Sequence, residues 1–472
     1  MAIGDLYTRK LERLGRYLVL QVIAGKETEA SLIALDHLPT TMPSLGELEA
    51  ASPLYLHHHG WENQLFWGVV NLTEADLTQL GNLPPKAQVA ELSNPSEVLD
   101  PAQLERQHYW DQLPSEVRAA YQAQPGRRAR LQVSEPGALT AQLAELPQTL
   151  SYLHVDAYSS QLPQFLQAHP LVSFLEITGK NHTDFGTEEQ PAATWDFSTS
   201  HLLDMELHLD QPVRIQLNPQ LQTLTCTGEF TALEELACPH AGKFLSLFLK
   251  PTGSGWTLPK LPKLRVLSLE LQAGATLSLA DLAAHYPQLE KLQIHGAGAS
   301  LTEIAALAEL PNLQKLWLNE CYGFDAFPSA AQLPKLQDLL LWSIPKPAGE
   351  QAKKAFKGIP SCNIRALRTP EWIGANVGNP FATWQGMEVP AAAVKKLISA
   401  YKKTYQDLAT TPEQAVQFLT EFLQVALQID EKVGLETLRR EQVLAAFETL
   451  RESAGVCSET GQEIWQNIFE GV

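Results

Sequence analysis

The chain of 472 residues is 44% hydrophobic and 19% charged, which is a folded composition and too long for one ordinary core. Its formal net charge of -18 speaks against nucleic acid as the main partner, because a phosphate backbone requires a positive footprint. Five cysteines (Cys226, Cys238, Cys321, Cys362 and Cys457) include no Cys-x-x-Cys pair, so neither a disulfide framework nor a zinc knuckle is indicated, and a reducing, cytoplasmic setting is expected.

In chain order, the first strong element is "YLVLQVIAG" at 17–25. It follows Arg9, Lys10, Arg13 and Arg16 as a signal peptide would, but Gln21 interrupts the apolar run and Glu12 sits in the basic region. A buried strand is the expectation, and with no run of eighteen apolar residues no transmembrane helix is expected. The aromatic and β-branched stretch "LYLHHHGWENQLFWGVVNL" at 54–72 reads as strand. Within it His57 and His59 share a face, and two imidazoles hold a metal only with a further ligand. No Cys/His/Asp cluster supplies one, so no metal is expected. "PAQLERQHYWDQL" and "PSEVRAAYQAQ" read as helices, which makes 1–125 an α+β N-terminal part.

From there a period appears. Leu264, Leu267 and Leu269 are followed by Leu289, Leu292 and Ile294, then by Leu313, Leu316 and Leu318, and then by Leu336, Leu339 and Leu341. Their first members are 25, 24 and 23 residues apart. Weaker copies begin at Leu150, Val172, Leu202, Leu221 and Phe244, with "RARLQV" at 128–133 as one more and "CNIRALRTP" as a closing strand. The one long interval, from 172 to 202, predicts an inserted loop in "GKNHTDFGTEEQPAATWDF".

Each L-x-L is a short strand whose aliphatic side chains point to one side, and stacked copies hide that side together. The return segments carry helix signals: Ser278 with Asp281, and Ser300 with Glu303, have capping-box spacing, and the runs end near Pro287 and Pro311. Residues from about 146 to 345 thereby resemble bacterial leucine-rich-repeat proteins, whose period is about 20–29 residues. The family's closing Asn/Cys position is matched only by Cys321, with Gln272, Ala297 and Ile344 as the departures. The resemblance implies an α/β solenoid over 126–370, a curved parallel sheet with helices or loops on its convex side. "TPEWIGANVGNPFATW" at 369–384 resembles segments that trail such repeats, and 371–387 is expected to be a linker or C-terminal cap.

Beyond it, Val394, Leu397, Ile398 and Tyr401 follow the spacing of an amphipathic helix. A second helix is expected to open with Thr411 as N-cap and Pro412 at its first position, and two more lie around Val443–Leu450 and Ile464–Phe469. Residues 388–472 therefore form a helical bundle.

No catalytic signature is present. "IHGAGASLTEI" at 294–304 lacks the third glycine of a dinucleotide loop, "IDEKVGLETLRRE" at 429–441 has Lys432 in place of a calcium ligand, and there is no Gly-x-Ser-x-Gly. Cys226 and Cys321 fall on the aliphatic side, where a small buried thiol is the expectation. No cofactor is expected, and the chain is read as a non-enzyme.

What remains is the strand side opposite the leucines, the concave side of the array that the resemblance implies. It carries Lys291, Gln293 and His295; Lys315, Trp317 and Asn319; Asp338, Leu340 and Trp342; Val266, Ser268 and Glu270; Ser246 and Phe248; and, earlier, Tyr152, His154, Asp156, Glu176, Glu206 and His208. Aromatic residues are what protein interfaces enrich, so another protein is the expected partner. The expected function is a binding scaffold, adaptor or inhibitor, an immunity protein being one version. An effector or enzyme whose repeats recruit a target, or a structural subunit, are the alternatives. Cover by the chain's own flanks competes with partner binding, most of all at Trp342.

Overall fold

The computed structural model describes residues 2–26, 29–58, 61, 63–72, 76–88, 95–123, 127–131, 138–179, 193–253, 256–384 and 389–470. It divides into two compact units, 1–224 with 234–240, and 225–233 with 241–472.

The first unit opens with a five-stranded sheet in the order Trp67–Asn71, Glu29–Ala34, Arg16–Lys26, Asp5–Leu11, Thr78–Asn82, with every pairing antiparallel. The stretch 17–25 is its central strand, and both of its faces are covered. Leu18, Leu20 and Val22 join one apolar cluster, and Val19 and Ile23 join another. Gln21 does not break the strand, because its buried amide is fully used: Nε2 donates to the carbonyls of Leu83 and Pro84, and Oε1 accepts from the Lys86 N–H. The expected helices follow as Pro101–Asp111, capped by the Asp100 carboxylate on the Ala102 N–H, and Ser115–Ala123. Trp110 and Tyr121 meet edge to face with centroids 5.6 Å apart.

Eleven strands form a parallel sheet, ordered from Ser361–Arg365 through Asp338–Trp342, Lys315–Asn319, Lys291–His295, Val266–Glu270, Ser246–Pro251, Thr223–Gly228, Asp204–Leu209, Phe174–Ile177 and Leu150–Val155 to Arg127–Leu131. The register aligns aliphatic residues in rows: Leu267, Leu292, Leu316 and Leu339 form one, and Leu269, Ile294, Leu318 and Leu341 the next. All eight are buried, and each contributes roughly 1.5–3 kcal/mol by leaving water. Cys226 and Cys321 are buried on the same side, and Cys321 donates its thiol to the Ile294 and Asn319 carbonyls. That thiol reaches carbonyls on two successive strands.

Three strands of this set leave through a left-handed residue that is not glycine. Glu320, Ser343 and Ala366 each directly follow a strand, at φ 55°, 53° and 53°. The first two bends are tied to the next strand or the preceding turn. The Glu320 N–H donates to the Trp342 carbonyl, its own carbonyl accepts from Gly298, and the Ser343 N–H donates to Arg365.

Several local expectations change. Ser278 does cap the helix Leu279–His285 through the Asp281 N–H. Ser300 caps nothing, because it lies in a short strand, Ser300–Thr302, parallel to Thr276–Ser278. Only a 3-10 turn, Ile304–Glu309, follows there; Glu303 adopts φ 55° and its carboxylate accepts the Ser278 hydroxyl instead. Within the expected inserted loop, 180–192 lies outside the described residues. Ala193–Asp196, however, is a strand of a separate three-stranded sheet with Val213–Gln216 and Leu233–Ala237. Residues 132 and 133 of "RARLQV" also lie outside the described residues.

The C-terminal region is helical: Ala391–Thr410, Ala415–Val433, Thr437–Ser453 and Ser458–Trp465. Thr411 makes no side-chain cap, because Pro412–Gln414 forms a 3-10 turn before the helix begins at Ala415. Phe381 and Trp384, from the stretch expected as a linker, are fully buried in the core that these helices share with Leu397, Phe422 and Phe447.

Candidate protein-binding face

Side chains alternate across a strand, so fixing the leucines on one side fixes their neighbours on the other. In the second unit the strand register gathers those neighbours into three rows. Ser246, Val266, Lys291, Lys315, Asp338 and Ser361 lie side by side; Phe248, Ser268, Gln293, Trp317, Leu340 and Asn363 form the next row. Glu270, His295, Asn319, Trp342 and Arg365 form the third. Glu270, His295 and Arg365 are exposed; Phe248, Gln293, Trp317, Asn319, Leu340 and Trp342 are half-buried.

Trp317 sits at the centre of the densest group. The Lys315 ammonium lies 4.5 Å from its ring centroid and that of Lys291 lies 5.9 Å away, both within cation–π range. Lys315 also pairs with Asp338 at 2.9 Å, and the Ser361 hydroxyl donates to the same carboxylate at 3.0 Å. Partial burial pushes the Asp338 carboxyl up, but its polar neighbours, Lys315 foremost and the Ser361 hydroxyl among them, outweigh it and hold its pKa below the ordinary value. Burial and then the like charge of Lys315 lower the pKa of Lys291. His295 is exposed at its surface, yet the strands packed around its ring still desolvate it enough to lower its pKa, against the pull of Glu270.

The first unit carries its own group on Arg127–Leu131, Leu150–Val155 and Phe174–Ile177. Tyr152 stacks on Phe174 with centroids 4.3 Å apart, and Arg128 lies over its ring. The Tyr152 hydroxyl donates to Glu176 Oε2 at 2.6 Å, and His154 Nδ1 meets the same oxygen at 2.9 Å. Burial, and then the hydrogen bond to Glu176, push the Tyr152 hydroxyl up to about 12. Burial of Glu176 raises its carboxyl, yet the bonds from Tyr152 and His154 leave its pKa lowered. His154 therefore corrects an expectation: it is 7% exposed and turned onto Glu176, so it offers no open surface. Alternation assigned its side of the strand but not its cover.

Two open-side cations escaped the sequence reading. Arg365 falls in line with Trp342, which the alternation of "CNIRALR" signals, and Lys250 pairs with Glu270 at 2.8 Å. A buried polar group was also missed. Glu320 is 5% exposed, and burial pushes its carboxyl up to about 7 against the opposing charge of Arg368. Arg368 donates to Ser343 and lies 4.0 Å from the Trp372 ring centroid. Nothing in the sequence signals that residues so far apart act on one another.

Elsewhere, His57 Nε2 meets Asp111 Oδ1 at 3.0 Å, His58 is buried, and His59 lies outside the described residues. Among the described residues no group of three His, Cys, Asp or Glu side chains could hold a metal, and no helix is long and apolar enough to cross a membrane. Burial pushes the Cys226 thiol up to about 12, and that of Cys321 higher still, so neither is a ready nucleophile. Comparison with protein-family models and with curated proteins finds no match to the chain.

Proposed function

We propose that this chain is a leucine-rich-repeat solenoid and a non-catalytic binding protein, holding another protein on the open side of the strands between Ser246 and Arg365. The observation that carries the reading is Trp317 with Lys291 and Lys315 both within cation–π reach, flanked by half-buried Leu340 and Trp342, with Phe248 three strands further along the same row. Half-covered aromatic and aliphatic side chains held among charges are what a partner buries at an interface core. The strands supply the rigidity: the rows are fixed by backbone pairing, so a partner meets a pre-organised surface and little ordering opposes binding.

Affinity capture with the intact chain and with a Trp317→Ala/Lys315→Glu variant tests this. The expected result is one specific protein recovered by the intact chain and lost with the variant. Recovery of the same proteins by both baits overturns the assignment of the face.

A further inference from the structure

The open side of the second unit differs in sign from the chain as a whole. Lys250, Lys291, Lys315 and Arg365 stand against Glu270 and Asp338, four positive charges to two negative, on a chain of net charge -18. The two carboxylates are already engaged, Glu270 by Lys250 at 2.8 Å and Asp338 by Lys315 at 2.9 Å. Among the described residues, Lys291 and Arg365 form no ion pair. Neither has a carboxylate at ion-pair distance, although Asp338 acts on Lys291 from farther away; Lys291 stands beside Trp317, and Arg365 stands next to Trp342 in its row.

We propose that the occupant of this face is an extended acidic segment of another protein, with carboxylates on Lys291 and Arg365 and apolar or aromatic side chains on Trp317, Leu340 and Trp342. This rests on reading that face as the binding surface. Charge complementarity selects the segment: a local cationic field attracts carboxylates within about a Debye length, while the acidic remainder repels a long polyanion such as nucleic acid. Spacing limits it further. Lys291 and Arg365 lie three strands apart and at opposite ends of their strands, roughly 20 Å in all, which an extended segment of about six residues spans.

Fluorescence anisotropy of labelled dodecapeptides on the full-length chain tests the proposal, using alternating Glu and Tyr, Gln and Tyr, and Lys and Tyr. The expected result is binding of the Glu/Tyr peptide alone, weakened by salt and by about tenfold in Lys291→Gln, a surface change with an unaltered melting curve. Equal binding of the Gln/Tyr peptide, lost only in Trp317→Ala, overturns the acidic occupant while leaving the face as a binding surface. No binding of any peptide, or binding indifferent to both substitutions, overturns both. A chain that is dimeric alone by light scattering and monomeric as Lys291→Gln also overturns the proposal, since the occupant is then a second copy.

Discussion

Arg368 donates its Nε–H to the Ser343 hydroxyl at 2.9 Å, and its charge is the one that opposes the rise in the pKa of buried Glu320. Both Glu320 and Ser343 sit in left-handed bends, so the backbone of two successive strand exits fixes where these polar groups stand.

A pH dependence follows from Glu320. Its carboxyl titrates near 4.5 when unfolded and at about 7 when folded, so the folded chain binds the extra proton between those values. The stabilising contribution is complete below about pH 4.5 and is lost as pH rises through about 7. Glu320→Gln removes this dependence. The stability of the variant minus that of the parent, from urea melts, should grow across that window to at most about 3 kcal/mol and stay flat above it.

Leu316 tests the aliphatic rows. It is fully buried between Leu292 and Leu339, so Leu316→Ala should lower unfolding free energy by about 2–5 kcal/mol, measured by chemical denaturation followed by circular dichroism.

Gly296 tests a close approach. A Cβ there would stand 2.5 Å from the Glu320 carbonyl oxygen and 2.9 Å from the Cys321 sulfur. The carbonyl belongs to a backbone held by neighbouring strands and cannot swing aside. Gly296→Ala should destabilise by on the order of 2 kcal/mol, with a corresponding fall in melting temperature.

Lys315 and Asp338 separate stability from binding. The pair is about a third exposed, 32% and 26%, so Lys315→Gln should change stability by less than about 1 kcal/mol. The same substitution removes one of the two cations over Trp317. Partner capture should therefore weaken while the melting curve stays put.

Tyr152→Phe deletes one of two donors to Glu176 and leaves His154 in place. A loss of about 1 kcal/mol in the denaturation free energy is expected, with the Glu176 carboxyl shifting toward its ordinary pKa in a carboxyl-carbon NMR titration.

Much of the sheet was legible because its signal is local and repeated. The leucine pairs spaced two apart define strands, and they meet in the register that their spacing requires. The caps show where legibility ends. Ser278 and Ser300 carry the same spacing to an acidic residue, yet only Ser278 opens an α-helix, because Glu303 is turned left-handed and bonded to the other repeat. Spacing shows which side chains could cap a helix but not whether the following backbone is helical. Gln21 likewise looked like a fault in an apolar run, and only the carbonyls of Leu83 and Pro84 explain it. Within the candidate face, alternation gave the side on which Trp317 and Lys291 stand. It could not show that His154 is covered, or that Lys291 has no carboxylate at ion-pair distance among the described residues.

The left-handed exits at Glu320, Ser343 and Ala366 bear on how the chain comes apart. A non-glycine residue in that conformation is unfavourable by roughly 1–2 kcal/mol, so none of these bends persists by its own preference. Glu320 is held by carbonyls and amides of the repeats on either side, and Ser343 by the strand beyond it. Frayed at one strand, the neighbouring bend relaxes and loosens the next, so this stretch should melt as one cooperative block rather than repeat by repeat.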